Sequence, residues 1–252
     1  MKRFIKMLFA TILASVSLLS FACCNGGKNE EVLKVGYTIY APMNYTDEKT
    51  GEFVGFDTDL AKEVGKIINK KIEFVEINWD NKVLALNGYE IDCVWNGMTI
   101  TEDLEKVMAI TKPYLENKQV VVCQKEEATK YTSVNDIEKA GEVFVESGSA
   151  GESVCKNAGF TPKTVTAQKD TLLEVASSPD KIAVIDLTMA RVLTGEGSSF
   201  SSLTYVDVGF ETELFGIGFR KVDEELKNSV QNAIDLLKEN GTFDRLLSVY
   251  FS

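Results

Sequence analysis

The sequence predicts an α/β fold made of two successive α/β units. Short apolar runs typical of strands alternate with segments whose apolar residues recur at the spacing of one helix face. This alternation favours a mostly parallel sheet covered by helices. After Pro113 the alternation starts again, which indicates a second unit, and an amphipathic helix lies close to the end of the chain.

The first unit begins with a strand at residues 32–37, followed by a helix that Asp57 can cap. The apolar face of that helix follows the spacing i, i+4, i+7 and i+8, with Leu60, Val64, Ile67 and Ile68. The remaining elements are a strand at 71–77, a short helix at 83–87 and a strand at 91–94, directly before the sequence WNGMTIT.

In the second unit the alternation of strands and helices starts again. It begins with a strand at 119–124, a short helix at 134–139 and a strand at 142–145, and a turn of small residues at 147–151 then opens a helix. A helix at 172–176, a strand at 182–185 and a helix at 187–193 follow. A strand at 215–219 then precedes a helix at 224–239 that Asn240 and Gly241 end. The last short helix carries Phe243, Leu246, Leu247 and Tyr250.

The first 22 residues predict a signal peptide. Three basic residues precede the uncharged run 7–22, which is shorter than the ~20 residues of a membrane-spanning helix, and Cys23 follows. A small residue before that cysteine suggests a bacterial lipoprotein with Cys23 as the lipidated N-terminus and Cys24 as the alternative. The polar residues that follow favour a lipidated tether over residues 23–31.

Composition excludes several classes of function. The chain of 252 residues is 44% hydrophobic, as in folded proteins, and its net charge of −11 disfavours binding to nucleic acid or anionic membranes. It contains no histidine, which excludes histidine-based catalysis and histidine-ligated metals, and it lacks nucleotide-binding glycine motifs. We therefore expect no cofactor and no metal, and a binding function gains by elimination.

Taken in order, the segments resemble the bacterial extracellular solute-binding proteins of family 3, the polar-amino-acid receptors of ABC importers. The similarity covers residues 33–251 and depends on order and spacing more than on any one motif. The phrases that carry it are LKVG, GEFVGFDTDLAKEVGK, INWDNKVLALNGYEID, WNGMTIT, TKPYLENKQVVV, ESGSAGES, AVIDLTMA, ETELFGIGFRK and LKENGTFDRLLSVYF.

The resemblance implies a two-lobed periplasmic-binding-protein fold (type II, Venus-flytrap) with two hinge crossovers. Lobe 1 would comprise residues 32–120 and 215–252, and lobe 2 residues 121–214. The ligand would lie between the lobes. Open α/β sheets bind ligands beyond the carboxyl ends of their strands, which independently favours a cleft there.

The resemblance also assigns cleft residues. Tyr40 matches the aromatic residue that stacks on the ligand, and Asp186 matches the aspartate that pairs with the α-ammonium group. Thr99 and Thr101, just before a helix start, offer hydroxyls to an anion, although Thr101 also suits a helix cap. In the family, the backbone of the turn at 147–151 and Ser149 would complete the carboxylate site. The full expected set is Tyr40, Trp95, Asn96, Gly97, Thr99, Thr101, Ser149, Ala150 and Asp186.

Alternatives remain open at several of these positions. Asp186 would also suit a helix cap, and Trp95 would equally suit the core. Tyr45 is a weaker aromatic candidate, and Trp79 is expected to pack between a helix and a strand. Glu213, beside the second crossover, is expected to be structural.

One cleft position departs from the family pattern. Its helix begins Thr-Pro-Glu-Arg, and the arginine holds the ligand carboxylate, whereas this chain has Leu104 in the arginine's place. A charge-assisted bond of that kind contributes about 1.5–3 kcal/mol. Lys106 or Lys118 can substitute, the threonines and backbone can suffice, or the ligand can be a cationic amine without a carboxylate.

The sequence therefore predicts a monomeric extracytoplasmic receptor that captures a small polar solute and delivers it to an ABC permease. An amino acid, cationic or neutral, is the expected ligand, and the only membrane contact would be the lipid anchor. The rival functions are a receptor for a cationic amine, a sensor that no longer transports, and an enzyme like the cyclohexadienyl dehydratases that resemble this fold.

Overall fold

The computed structural model describes residues 31–251, in which strands and helices alternate. The strands are β1 (Val32–Tyr37), β2 (Tyr45–Thr46), β3 (Phe53–Val54), β4 (Lys71–Glu76), β5 (Cys93–Thr99), β6 (Met108–Ile110), β7 (Leu115–Gln124), β8 (Glu142–Glu146), β9 (Lys163–Val165), β10 (Lys181–Asp186), β11 (Leu203–Val206) and β12 (Thr212–Arg220). The α-helices are α1 (Phe56–Ile68), α2 (Lys82–Asn87), α3 (Glu102–Val107), α4 (Ala150–Asn157), α5 (Gln168–Ser177), α6 (Leu187–Thr194), α7 (Glu224–Glu239) and α8 (Thr242–Phe251). Short 3-10 helices cover Trp79–Asn81, Lys125–Lys130 and Val134–Lys139.

Within the described residues, ten of these strands form one mixed sheet. Eight of them follow the order β4-β1-β5-β12-β7-β10-β8-β9, and off this path β11 pairs with β7 and β6 pairs with β12. The strands β4, β1 and β5 at one end run parallel, and so do β10, β8 and β9 at the other. Between them β12 and β7 are antiparallel to their neighbours. The expected parallel pairing is therefore found at both ends of the sheet and not in its middle.

Strand β7 joins the two ends of the sheet. Its residues 115–118 pair with β12, and its residues 119–124 pair with β10 and β11. We call β4, β1, β5, β12 and β6 the first half-sheet, and β7, β10, β8, β9 and β11 the second half-sheet. The chain passes from the first to the second through β7 and returns through the segment between β11 and β12.

Strand β7 is buried on both faces, which explains its continuous apolar run. Val120 and Val122 pack in the main core with residues of both half-sheets, whereas Val121 and Cys123 pack in a separate core on the other face. Successive side chains of a strand point to opposite faces, so a strand covered on both sides needs no polar alternation. The apolar positions of β10 divide between the same two cores.

Two local expectations were wrong. Asp57 does not cap α1, because the helix already begins at Phe56; the buried Asp57 carboxylate instead accepts hydrogen bonds from Gly97 N at 2.7 Å and Tyr114 Oη at 2.9 Å. The strand expected at 91–94 extends as β5 to Thr99, so WNGMT lies on the strand itself. Gly97 makes this possible with a φ of 56°, and the pairing with β12 shifts register opposite it.

Other boundaries differ by smaller amounts. Strand β7 begins at Leu115, before the expected start at residue 119, and the short helix at 134–139 is a 3-10 helix. The short strands β2, β3, β6, β9 and β11 were not predicted from the sequence, because two to four residues are too few to show a period.

The predicted leader, residues 1–22, and the predicted lipidation site, Cys23, lie outside the described residues 31–251. Within those residues, no helix has both the length and the apolar character needed to cross a membrane. Cys93, Cys123 and Cys155 are buried free thiols.

Candidate ligand-binding site

The carboxyl ends of strands from both half-sheets meet around one small cavity. Its internal free space is about 20 Å³, which is room for a single water molecule. Its walls come from the carboxyl-terminal parts of β5, β8 and β10 and from segments that follow β1, β4, β8 and β9, as the rule for open α/β sheets predicts. The lining residues are Tyr40, Trp79, Asn96, Gly97, Thr99, Glu146, Ser149, Ala150, Gln168 and Asp186.

Asp186, the last residue of β10, presents an oriented carboxylate to this cavity. Its oxygens accept hydrogen bonds from Gln119 Nε2 at 2.9 Å, from Gln168 Nε2 at 2.6 Å and from the side-chain amide of Asn117. The side chain makes no capping hydrogen bond to α6, which removes the alternative of a helix cap. Burial, with the neighbouring charge of Glu213, raises the pKa of Asp186 to about 7. A cationic group placed here would therefore restore the charged form of Asp186.

Glu146 is a second acidic group in the cavity. It is the last residue of β8, is 4% exposed, and its Oε1 has no hydrogen-bond partner among residues 31–251. Burial and then the charge of Asp186 raise its pKa to about 8, although the charge of Lys82 opposes the shift. Sequence reasoning missed this residue, yet the signal was the same as for Asp186: an acidic residue that ends an apolar strand.

Tyr40 forms a wall of the cavity and connects the two half-sheets. Its buried phenol group is hydrogen-bonded to Thr188 Oγ1 at the start of α6. A Cβ added to Gly97 would lie 2.8 Å from Tyr40 Cε1, so glycine is required for the ring to lie against β5. The ring is thus held over the floor of the cavity.

Asn96 lines the cavity but its amide is engaged elsewhere. Its Oδ1 accepts from Thr38 N at 3.1 Å and Thr38 Oγ1 at 2.9 Å, and its Nδ2 donates to Thr38 O at 2.9 Å and Asn44 Oδ1 at 2.7 Å. All of its polar capacity therefore fixes the loop after β1. Thr99 likewise donates to Glu213 Oε2 at 3.1 Å.

The structure does not bring every expected residue to this cavity. Trp95 is fully buried in the main core and is not part of the lining, because it lies next to Asn96 on a strand and faces the other way. Tyr45 lines a separate groove with Met189 and Leu193. Trp79, expected to pack internally, does contribute to a core, and it also lines the cavity.

A second, wider cavity adjoins the first and shares Trp79, Thr99, Ser149 and Ala150 with it. Thr101 lines this second cavity, and its Oγ1 accepts from Leu104 N at 3.2 Å as the cap of α3. Leu104 also lines it and packs against the core around Trp79 and Met98. The place of the family's arginine is thus filled by apolar packing.

The lysines considered as substitutes for that arginine lie elsewhere. Lys106 pairs with the exposed Asp103 at 2.7 Å, and Lys118 pairs with Asp207 at 2.7 Å. Neither lines either cavity. Two lysines do line the second cavity: Lys156, which pairs with Glu152, and Lys82, the first residue of α2, which sequence reasoning did not single out.

A two-sided cavity at the carboxyl ends of two half-sheets, joined by two chain crossings, defines a two-lobed solute-binding fold. Comparison with known proteins agrees. Residues 33–252 match the bacterial extracellular solute-binding proteins, family 3, and the chain belongs to that family.

Relatives and solved structures of this fold bind amino acids. The probable histidine-binding protein of Neisseria gonorrhoeae is 32% identical over 262 residues, which cover 98% of this chain and 96% of the relative. The arginine-binding extracellular protein ArtP of Bacillus subtilis is 25% identical and covers 98% of both. An ancestral arginine-binding protein bound to arginine has a TM-score of 0.79 at 31% identity, covering 88% of this chain and 98% of that one.

One structural neighbour is related to the enzyme that the sequence analysis gave as an alternative function. It is the ancestral amino acid-binding protein AncCDT-1, a precursor of cyclohexadienyl dehydratase, with a TM-score of 0.79 at 32% identity, covering 88% of this chain and 96% of that one. The neighbour itself is described as a binding protein. The expected two-lobed α/β class is confirmed by these likenesses.

Proposed function

We propose that this chain is the extracytoplasmic receptor of an ABC importer and that its two lobes close on one amino acid with a cationic side chain. The observation that carries the proposal is the buried Asp186 carboxylate, held by three side-chain amides at the cavity wall. A fixed carboxylate in a low-dielectric cleft selects a positively charged group.

The balance of charge in the cleft favours a ligand with more positive than negative charge. Asp186 and Glu146 line the cavity, and Glu213 lies directly behind it in hydrogen-bond contact with Gln119. Among the described residues, two cations line these two cavities, Lys82 and Lys156. Lys156 is already paired with Glu152. A ligand with two ammonium-type groups and one carboxylate matches this arrangement.

The aromatic residues supply the remaining contacts. Tyr40 and Trp79 both line the cavity and follow β1 and β4 of the first half-sheet. An aromatic face over a cation contributes about 0.5–2 kcal/mol. The side chain of the bound amino acid would lie against these rings, with Glu146 accessible to its charged end.

The proposal also covers how the lobes move and where the receptor is located. We place lobe 1 at residues 32–120 and 215–252 and lobe 2 at 121–214, with closure as a hinge motion at β7 and at the segment before β12. We also propose that the partner is an ABC permease and that lipidation of Cys23 tethers the receptor outside the cytoplasmic membrane, with no cofactor and no covalent chemistry.

A thermal-shift screen tests the ligand class. L-arginine, L-lysine and L-histidine are compared with L-glutamate, L-aspartate and putrescine at 1 mM. A ligand present at about a thousand times its dissociation constant stabilises the folded state by about 4 kcal/mol. For a chain of this size the melting temperature would rise by about 8–16 °C. At least one cationic amino acid should produce such a shift; a response to the acidic amino acids alone would contradict the proposal.

A dehydratase is the second candidate, favoured only by the AncCDT-1 likeness. Its acid would be Glu213, whose carboxylate accepts from Gln119 Nε2 at 2.9 Å and from Thr99 Oγ1 and does not line the cavity. These contacts support a structural role for Glu213. Incubation with prephenate or arogenate discriminates, because only the enzyme would release an aromatic product.

A further inference from the structure

Lys82 is a buried cation without a carboxylate partner among the described residues. Its side chain lies at the second cavity and is 7% exposed, and its Nζ donates to two backbone carbonyls, Trp79 O at 3.1 Å and Gly148 O at 2.9 Å. An ammonium group has three N–H donors; Nζ also lies 4.8 Å from the centroid of the Trp79 ring, which leaves at most one donor for another acceptor. Burial lowers the pKa of Lys82 despite the opposing charges of Glu146, Asp80 and Glu152. The site would therefore gain stability from an added negative group.

The space in front of Lys82 is built for an anion from the opposite side as well. Helix α4 begins at Ala150, and the first N–H groups of a helix have no partner within it. Ser149 Oγ accepts from Glu152 N at 3.1 Å, so the cap satisfies only one of the first N–H groups of α4. Ser149 and Ala150 line both cavities, so this helix start lies where they join.

The two features are held together by direct contact between the two half-sheets. Gly148 lies so close to the first half-sheet that an added Cβ would be 2.8 Å from Asp80 Cα, and its φ of 72° is one that glycine adopts easily. The bond from Lys82 to Gly148 O spans the same contact. The Lys82 ammonium therefore lies beside the turn that precedes α4.

We propose that Lys82 holds the carboxylate of the bound amino acid beside the start of α4, where the family resemblance already implies a carboxylate site, and replaces the arginine that Leu104 displaces. This inference rests on the proposed function. It explains why the family's arginine can be absent while Thr99, Ser149 and Ala150 remain at the cavity. The cation reaches the carboxylate from α2 instead of α3, and Leu104 fills the vacated space with apolar contacts.

The competing explanation is that Lys82 only ties the two half-sheets together through Gly148 O. The two roles differ in what they do to related ligands. If Lys82 only links the two half-sheets, its loss lowers the affinity for every ligand equally. If Lys82 binds the ligand carboxylate, its loss lowers the affinity only for ligands that have a carboxylate. Each amino acid is therefore compared with its decarboxylated amine: L-arginine with agmatine, L-lysine with cadaverine, and L-histidine with histamine.

Calorimetric titration of wild type, Lys82→Met and Lys82→Gln with these pairs tests the inference. Loss of a charge-assisted hydrogen bond should lower the amino acid to amine affinity ratio by about 10- to 100-fold in both variants. Glutamine can still donate to Gly148 O but carries no charge, so it keeps the link between the half-sheets and removes only the charge. It also provides a second variant if methionine impairs folding. Lys106→Met, which removes an exposed lysine of α3, is the matched control and should leave the ratio unchanged.

Adding Leu104→Arg to Lys82→Met returns a cation to the family's position and should restore most of the ratio. Equal losses for amino acid and amine, an unchanged ratio, or no recovery on adding the arginine would each overturn the inference. A different result would contradict the proposed function itself, namely that none of the three amino acids binds the wild-type protein.

Discussion

Replacing Asp186 with asparagine should reduce the affinity for the bound amino acid by about 100- to 1000-fold. Removing one member of a buried, hydrogen-bonded charge pair costs about 2–5 kcal/mol, because the ammonium group is left without its counter-charge. The asparagine would also turn an amide donor toward one or more of Asn117, Gln119 and Gln168, which now all donate to the carboxylate. Both effects weaken binding without changing the volume of the side chain.

Titration calorimetry of the variant with the best amino acid from the thermal screen measures this loss. Asp207→Asn is the control, since Asp207 is half-exposed and pairs with Lys118 away from the cavity. Its affinity should stay close to that of the wild type. An Asp186→Asn variant that retained affinity within about threefold would show that Asp186 does not hold the ammonium group.

The same carboxylates make binding depend on pH. The pKa of Asp186 is raised to about 7 and that of Glu146 to about 8, so both are partly protonated near neutrality. A protonated carboxyl cannot pair with a cation, so affinity should rise with pH and level off above about pH 9, where Glu146 is ionised as well. Asp186 alone should contribute about a tenfold rise between pH 6 and pH 8, and this part should be absent in Asp186→Asn.

Replacing Arg220 with methionine should lower the free energy of unfolding by about 3–5 kcal/mol, the usual cost of breaking a buried ion pair on one side. Arg220 is 6% exposed at the end of β12. Its guanidinium donates to Leu86 O at 3.1 Å and to Ile91 O at 2.6 Å, and its Nη2 lies 3.0 Å from Asp92 Oδ1. Methionine has a similar length but leaves both carbonyls and Asp92 without this partner.

Denaturant unfolding monitored by circular dichroism measures the loss. Lys112→Met is the matched control, because Lys112 pairs with Asp235 at 3.2 Å on the surface, where a salt bridge contributes about 0–1 kcal/mol. A loss for Arg220→Met no larger than that of the control would mean that the guanidinium network does not hold β12 to the loop before β5.

Much of the fold could be predicted from periodicity, since the longer strands and helices show their period within their own residues. Helix α7 begins and ends where its apolar stripe predicted, and Val230, Ala233 and Ile234 are buried. The middle of the sheet could not be predicted in this way. Whether β7 and β12 pair antiparallel depends on contacts between segments about a hundred residues apart, which no local pattern encodes.

The site divides in a similar way. Residues that end or follow a strand, such as Asp186 and Tyr40, could be placed by the family's pattern, and the structure brings them to one cavity. The position of Trp95 could not be predicted, because β5 continues to Thr99 and its alternation turns the Trp95 side chain into the main core. Lys82 could not be recognised, since its significance depends on its contact with Gly148 in a distant part of the chain. Glu146, in contrast, ends an apolar strand as Asp186 does and could have been recognised.

A crystal structure of the protein with bound L-arginine, or with the cationic amino acid that stabilises it most, tests the central claim most directly. The account predicts that the α-ammonium nitrogen lies about 2.7–2.9 Å from an Asp186 carboxylate oxygen, as charge-assisted hydrogen bonds do. The side chain should lie between Tyr40 and Trp79. A ligand found in the groove beside Tyr45 and Met189, or with its ammonium group turned away from Asp186, would contradict it.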